Sequence, residues 1–210
     1  MSQILQIKYY LELYLNIMKR FSQRLKILLS SKQPKTLKDL LDSFAEKSFA
    51  ILFLLLLAAS ALPIPTGGIT NIFEIIAMLL AIELISGRKT VWLPKSWLNK
   101  ELPKSLQSSA LPRFIRIIRW FEKFSRPRLS NLLNKEVTIR LIGLVFLIFS
   151  LFSFLAPPFS GLDTLPSLGI VILALALIFE DFIMSVIAII IGSIGVLLIL
   201  ILGKAALSLI

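Results

Sequence analysis

Long apolar segments restrict this chain to a few kinds of fold. Between Leu165 and Leu202 the only charged residues are Glu180 and Asp181. A straight transmembrane helix needs about 20 apolar residues to cross a hydrocarbon core of about 30 Å, and Phe182–Leu202 meets that length. The pattern predicts an all-α integral membrane protein with one full transmembrane helix near its end and a solvated turn at the two acids.

The remaining apolar stretches are shorter and come in two pairs. They are Ser48–Leu62 with Ile69–Ser86, and Leu141–Ala156 with Leu165–Phe179. A helix of about 15 residues covers only about 22 Å. Each pair meets at a turn of residues that stop or reverse a helix. The turn residues are Pro63, Pro65, Thr66, Gly67 and Gly68 in the first pair, and Pro157, Pro158 and Gly161 in the second. We therefore expect two short-helix hairpins, which either span the membrane or re-enter the side that they left.

The two pairs align with each other when the chain is shifted by 93 residues. Pro65 then falls on Pro158, Gly68 on Gly161 and Ala81 on Ala174. This predicts an internal repeat. Repeated, broken helices are typical of transporter binding sites, because their unpaired backbone groups must be buried in protein or face a wet cavity. The alternative is that both turns are simple exposed loops.

Composition excludes several kinds of chemistry. Hydrophobic residues make up 57% of the chain and charged residues only 17%, whereas soluble domains have about 25% charged residues. The chain has neither His nor Cys, which excludes Ser-His and Cys-His catalysis, imidazole or thiolate metal sites and disulfides. We expect no cofactor and no metal, and the sequence favours a protein that is not an enzyme without settling the question.

The basic residues predict the orientation of the chain. Lys and Arg outnumber acids by 23 to 12 overall, by nine to four in residues 1–47 and by 13 to three in residues 88–140. Because this charge flanks apolar runs, we expect no nucleic-acid binding. By the positive-inside rule both regions lie in the cytoplasm, so the two hairpins share one orientation.

The expected domain organisation has two parts. Residues 1–35 form an amphipathic extension, and residues 36–203 form a single membrane domain. That domain contains repeat one at about 36–94, a basic linker at 95–138, and repeat two with the last helix at 139–203. Thr36 and Asp39 have the spacing of a capping box with Asp in place of Glu, which predicts a helix start.

A basic amphipathic helix is predicted within the linker, at residues 111–124. On a helical wheel its apolar residues gather on one side and its arginines on the other, which is typical of a helix lying on anionic headgroups. The expected headgroup-facing residues are Arg88, Arg113, Arg116, Arg119, Arg126 and Arg128. They either recruit a phosphate-bearing lipid or serve only as topology and anchoring charges.

Two acidic residues lie where a membrane protein places charge only at a cost. Glu74 follows the first turn, close to a helix start, and Asp163 lies in the second turn. An ionisable group within the membrane is a functional hypothesis by default, although helix capping is the simpler role for Asp163. The two carboxylates occupy similar places in the two repeats and could face each other.

Several short motifs then combine into a family resemblance. They are Leu62-Pro63-Ile64-Pro65 with Gly67-Gly68, Gly87-Arg88 leading to Trp92-Leu93-Pro94, Arg126-Pro127-Arg128-Leu129, and Pro157-Pro158 with Leu165-Pro166. In this order and spacing, over about Thr36 to Leu202, the chain resembles the ExoD-type exopolysaccharide-synthesis membrane protein family. The resemblance implies a multi-pass protein of the bacterial inner membrane, linked to surface polysaccharide production. It brings no agreed catalytic residues.

Three functions follow from these observations. The leading hypothesis is a non-enzymatic component that binds or moves an anionic lipid of the polyprenyl-phosphate type. Its binding residues would be the turn residues together with Glu74 and Asp163. The second is a scaffold or regulator that holds a glycosyltransferase or polymerase, and the third is an ion or proton pathway through the two acids. So small a bundle would also gain core by forming a homo-oligomer.

Overall fold

The computed structural model describes residues 23, 36–43, 47–62, 69–101, 111–125, 130–133, 135–157 and 160–207. In chain order its helices are α1 (Leu37–Ser43), α2 (Ser48–Leu57), α3 (Ile69–Ile85), α4 (Lys95–Leu98), α5 (Leu111–Phe124), α6 (Ser130–Leu133), α7 (Glu136–Leu155), α8 (Thr164–Phe179) and α9 (Phe182–Leu207). No strand occurs within these ranges, so the all-α prediction is confirmed. The chain divides into two compact units, Met1–Leu40 with Lys95–Phe124, and Leu41–Pro94 with Ser125–Ile210.

The first unit contains the start of α1 together with α4 and α5. The Thr36 amide and hydroxyl both donate to Asp39 Oδ2, at 2.9 and 2.7 Å, and the Asp39 amide donates back to Thr36 Oγ1 at 3.2 Å. This confirms the predicted capping box. The same hydrogen bonds, first of all the one from the Thr36 backbone amide, hold the pKa of the Asp39 carboxyl below its usual value. Leu37 N also donates to Lys100 O at 3.2 Å.

The second unit is a helical bundle in which two pairs of helices cross-pack. Helix α2 packs on α3 and α7 on α8, while α3 also packs on α7 and α2 on α8. Helix α9 lies mainly against α8. As a result α8 is the central helix, and its Ile170, Leu173 and Ala174 are completely buried.

Two aromatic rings stack where α2 meets α7. Phe53 and Phe146 are both fully buried, and their ring centroids are 4.0 Å apart with an interplanar angle of 19°. The two residues are 93 positions apart in the chain. Stacked aromatic pairs contribute beyond the area they bury, so this pair holds the first pair of helices to the second.

Helix α9 approaches its neighbours so closely that only glycine fits. A Cβ atom at Gly169 would lie 2.6 Å from the Cα of Gly192, and one at Gly192 would lie 2.1 Å from the ring of Phe149. A Cβ atom at Gly195 would likewise lie 2.5 Å from Pro166 Cδ. Gly195 of α9 is therefore level with the first turn of α8.

Apolar side chains cover the outside of the second unit. Along α3 the exposed residues are spaced by three and four, and they are Ile72, Ile75, Leu79 and Ile82. Helices α7 and α9 carry similar stripes. Contiguous apolar patches on soluble monomers rarely exceed a few hundred Å². An apolar exterior at helical spacing instead indicates a membrane protein.

Two of the described helices are long and apolar enough to cross a membrane, Glu136–Leu155 and Phe182–Ala205. Only 33% and 22% of these spans are buried, so they differ from the core helices of soluble proteins. The expectation of a single helix of spanning length was wrong. Helix α7 begins five residues earlier than Leu141, because Arg140 pairs with Glu136 one turn away and both charges stay exposed at the helix start.

The acids expected in a solvated turn are engaged instead. Asp181 is only 5% exposed, and its Oδ1 accepts the amides of Ile183 and Met184 at 3.1 and 3.3 Å, which caps α9. Glu180 has a left-handed backbone (φ 56°) that ends α8, and it pairs with Lys47 at 3.1 Å. The prediction of a solvated turn was therefore wrong for Asp181, which is buried, whereas the Glu180 side chain is 32% exposed in its ion pair with Lys47.

Candidate functional site

A buried polar cluster lies where α2 and α7 end and α3 and α8 begin. Ser153 Oγ donates to Glu74 Oε1 at 2.8 Å and lies 2.8 Å from Ser167 Oγ. It also lies 3.3 Å from the backbone carbonyl oxygen of Asp163. Glu74 is 1% exposed, and Ser153 and Ser167 are equally buried. We call Ser60, Glu74, Ser153 and Ser167 the serine–glutamate cluster.

Helical spacing explains why these polar side chains point inward. Glu74 lies three residues before Ala77, which is fully buried, and Ser167 lies three residues before fully buried Ile170. Ser153 follows buried Phe149 by four residues. Each polar residue thus continues the apolar face that its helix presents to the core. Burial of these groups follows from the packing of the bundle.

Some polar atoms of this region lack hydrogen-bond partners. No hydrogen bond of ordinary geometry reaches Ser60 Oγ or Glu74 Oε2 from a described residue, and both atoms are buried. The Ser60 hydroxyl nevertheless lies near enough to act on the Glu74 carboxyl as a donor. Ser150 Oγ, one turn before Ser153 on α7, is likewise buried without such a hydrogen bond. A buried polar atom without a partner costs about 1–3 kcal/mol. Three buried polar atoms of this region thus make no hydrogen bond of ordinary geometry to a described residue.

Positive charge lies elsewhere in the second unit. Among the described residues, the Asp163 carboxylate acts on Glu74 as a like charge. Lys47 and Arg140 lie at the opposite end of the bundle, where they pair with acids. Lys204 is exposed on α9, nine residues beyond Gly195. The cluster can therefore accommodate a proton or a cation more readily than a phosphate.

Three of the predicted site residues lie in the described part of the second turn, and one of them, Asp163, contacts the cluster. Pro157 and Gly161 are exposed, and Gly161 has a φ of 70°. Asp163 is the N-cap residue, directly before the first residue of α8, but its side chain makes no capping hydrogen bond, so the capping role expected for it was wrong. Its backbone carbonyl faces Ser153 instead.

The other predicted residues divide into exposed and undescribed ones. Arg88, Arg116 and Arg119 are exposed. The side chain of Arg113 and all of Arg126 and Arg128 lie outside the described residues, as do Pro63, Pro65, Thr66, Gly67, Gly68 and Pro158. Of the predicted site residues, the structure brings Glu74 and Asp163 near each other within the second unit, while the exposed arginines of α5 belong to the first unit.

The serines of the cluster were missed at the level of sequence. A serine inside an apolar helix is easily taken for a small core residue. The signal that could have found them is the 93-residue shift, which places Ser60 on Ser153 and Glu74 on Ser167. The same shift places Phe53 on Phe146, the two rings that stack.

Comparison with known proteins assigns the chain to a family. The family model described as "Exopolysaccharide synthesis, ExoD" matches residues 21–201. The chain belongs to the ExoD family. This confirms the resemblance found in the sequence, and the match includes both pairs of helices and the serine–glutamate cluster. No solved structure matches the chain.

Two curated proteins are similar to this member of the family. An uncharacterized protein of Synechocystis sp. is 30% identical over 136 residues, which is 65% of this chain and 63% of that protein. Protein ExoD of Rhizobium meliloti is 26% identical over 149 residues, which is 70% of this chain and 61% of that protein. The chain thus spans less than two thirds of the length of either relative.

Proposed function

We propose that the protein is a component of exopolysaccharide synthesis or export in the bacterial inner membrane, where it binds an anionic, polyprenyl-phosphate-type lipid without catalysing a reaction. The family assignment supports the link to exopolysaccharide synthesis. The apolar exterior of the second unit supports a place in the membrane. The observation that carries lipid binding is the surface of α5.

Helix α5 has two distinct faces. Ile115 and Ile118 are buried, whereas Arg116 and Arg119 are exposed. Trp120, beside the arginines, is 56% exposed. Arginine forms bidentate hydrogen bonds with phosphate, and tryptophan is enriched at the level of lipid headgroups. This combination favours an anionic lipid headgroup at α5.

The serine–glutamate cluster supports a narrower version of this proposal. A phosphate placed in this cluster would have the Asp163 carboxylate beside it and no described cation to pair with it. Like charges in a buried site repel strongly. We therefore assign the phosphate to the basic residues of α5.

Native mass spectrometry of the gently extracted full-length chain tests lipid binding. We expect a retained phosphate-bearing lipid that is lost in the Arg116→Gln/Arg119→Gln variant and kept in Lys204→Gln, which removes an exposed charge elsewhere. Equal retention in both variants would contradict the assignment to α5. A lipid-free wild-type chain that crosslinks in cells to a glycosyltransferase would favour the scaffold hypothesis. The same spectra report any homo-oligomer.

We further propose that the second unit is built from two duplicated hairpins of one orientation, with residues 1–47 and the basic linker in the cytoplasm. Three observations support the duplication. Residues 93 positions apart stack on each other at Phe53 and Phe146. Gly87 and Glu180, also 93 apart, both have a left-handed backbone just after α3 and α8. The cross-packing of α3 on α7 matches that of α2 on α8.

The length of α9 supports hairpins that end inside the bilayer. From Phe182 to Gly195 the helix rises about 20 Å, and from Gly195 to Leu207 it rises about 18 Å more. Because Gly195 is level with the start of α8, α9 continues well past the second turn, with exposed residues at 200–205. If α9 spans a core of about 30 Å and the exposed charges at the start of α7, Glu136 and Arg140, lie outside that core, then α7 enters the core without crossing it and residues 160–163 lie within it.

Spin labels on single introduced cysteines test this depth, since the chain has no native Cys. We expect a label at Ser160→Cys to relax more strongly with dissolved oxygen than with a polar nickel reagent, because oxygen concentrates in the bilayer interior. A label at Lys89→Cys, at the other end of the bundle, should behave in the opposite way. A label at residue 160 that is as accessible to the polar reagent as the label at residue 89 would contradict a re-entrant turn.

A further inference from the structure

We infer that Glu74 is a proton-binding site, in which the carboxyl group is held as a neutral acid that donates from Oε2 to the hydroxyl oxygen of Ser60. This inference is independent of lipid binding, since it concerns the interior of the second unit. It assigns a ligand, the proton, to the serine–glutamate cluster.

The first argument comes from the unpaired atoms. Glu74 Oε2 and Ser60 Oγ are both buried, and neither makes a hydrogen bond of ordinary geometry to a described residue, although the Ser60 side chain lies near enough to interact with the Glu74 carboxyl. An ionised carboxylate can only accept hydrogen bonds, whereas a protonated one also donates. Two arrangements would pair these atoms: the Ser60 hydroxyl donating to an ionised Oε2, or a protonated Oε2 donating to Ser60 Oγ. Burial without a nearby cation favours the second, because an ionised oxygen in that place costs more free energy than a neutral one.

The second argument comes from the charges around the site. The elements packed on α3 are α7 and α2. Toward Glu74 they present hydroxyl groups, of Ser153 from α7 and of Ser60 after α2. The adjoining turn before α8 presents a like charge, Asp163. Other described charged groups of these elements lie at the opposite end of the bundle, namely Lys47, Lys135, Glu136, Arg140 and Glu180. A buried carboxylate without a counter-charge is neutralised by taking up a proton.

The third argument comes from the hydrogen bonds that join the two pairs of helices. Ser153 of α7 links Glu74 of α3 to Ser167 of α8 and to the carbonyl of Asp163. Loss of the proton would place a charge at this junction, next to another carboxylate. The two pairs would then attract each other less, so uptake and release of the proton would be coupled to how tightly the hairpins pack.

Infrared spectroscopy of the full-length chain in bilayers of phosphatidylethanolamine and phosphatidylglycerol tests the inference directly. We expect the carbonyl band of a protonated carboxylic acid at neutral pH, which shifts in heavy water and disappears in Glu74→Gln. The control Glu83→Gln changes an acid on the same helix whose Oε2 accepts the Trp92 amide at 2.9 Å, and it should keep the band. Absence of the band in the wild type, or its persistence in Glu74→Gln, overturns the inference.

A second measurement separates a proton from a metal cation and does not depend on the infrared signal. The glutamine side chain keeps the shape of Glu74 and can donate to Ser60, so Glu74→Gln should fold. We expect the Tm of the wild type to fall as pH rises, and that of Glu74→Gln to stay level. A Tm that rises with Na⁺ or K⁺ at constant pH, in the wild type only, would identify a cation site and overturn the inference. Lipid retention measured on Glu74→Gln should equal that of the wild type, which keeps this test distinct from the test of α5.

Discussion

Replacing Gly192 by alanine tests whether α9 is packed as closely as the structure indicates. The added Cβ atom would lie 2.1, 2.4 and 2.6 Å from three ring atoms of Phe149. Carbon atoms in contact are normally at least about 3.5 Å apart, so the nearest overlap is about 1.4 Å. Phe149 is 3% exposed and has no open space to move into. The overlap between the added Cβ atom and the ring can therefore be relieved only if α9 shifts away from α7 and α8.

The loss of stability expected for Gly192→Ala follows from the known free-energy costs of overpacking a core. Inserting a methyl group into a filled core costs about 1–3 kcal/mol, and the size of this overlap favours the upper half of that range. For a chain of this length, about 2 kcal/mol corresponds to a fall in Tm of roughly 4–8 °C. The Tm is measured on the full-length chain in bilayer discs, by the fraction that stays monodisperse after heating.

Gly203→Ala is the matched control on the same helix. A Cβ atom at Gly203 would have no neighbour within 4 Å, and alanine is favoured over glycine in a helix by about 1 kcal/mol. We expect its Tm to equal or exceed that of the wild type. The double variant Gly192→Ala/Phe149→Leu should recover part of the loss, because the smaller side chain leaves room. Equal Tm values for Gly192→Ala and Gly203→Ala would refute the close packing of α9.

Two further predictions concern α1 and the cluster. Thr36→Ala should raise the pKa of Asp39 toward its ordinary value, as followed by NMR titration. In the wild type the hydrogen bonds from Thr36 stabilise the ionised form, so their contribution to α1 is present above the unfolded pKa of Asp39 and is lost as pH falls through the folded one. Ser167→Glu should lower the Tm, because two carboxylates would then flank Ser153, whereas Glu74→Ser/Ser167→Glu should recover most of the loss if the hairpins are duplicated. A double variant no more stable than Ser167→Glu would count against the duplication.

Much of the helix layout could be read from residues that break helices. Proline and glycine mark the turns before α3 and α8, and the alternation of apolar runs with charge locates α9. The start of α7 was misplaced because Arg140 was treated as the end of an apolar span. A charge at i and its partner at i+4 in the first turn of a helix can both stay in water, and here Glu136 and Arg140 do so. Hydropathy alone does not reveal such a pair.

The site was only half predictable for a related reason. Glu74 is conspicuous because an acid in an apolar stretch demands an explanation. Ser153 and Ser167 are not conspicuous in the sequence, since a serine hydroxyl in an apolar helix can form a hydrogen bond with the backbone of its own helix. Whether it does so or reaches another helix depends on tertiary packing. Here α7 packs against α3 and α8, so the Ser153 hydroxyl reaches Glu74 and Ser167 on those helices.

The proposed duplication gives a reason for a single carboxylate in the cluster. Most of the junction between the hairpins can be shared by two copies of one sequence, since Phe53 stacks on Phe146 and Ala81 and Ala174 are both fully buried. At the equivalent positions Glu74 and Ser167 the two hairpins have different residues. Two carboxylates around Ser153 would repel each other, and two hydroxyls would hold no charge. With one acid opposite one hydroxyl, the gain or loss of a single proton changes how strongly the two hairpins attract each other. We therefore place the proton at this junction and the lipid phosphate at α5.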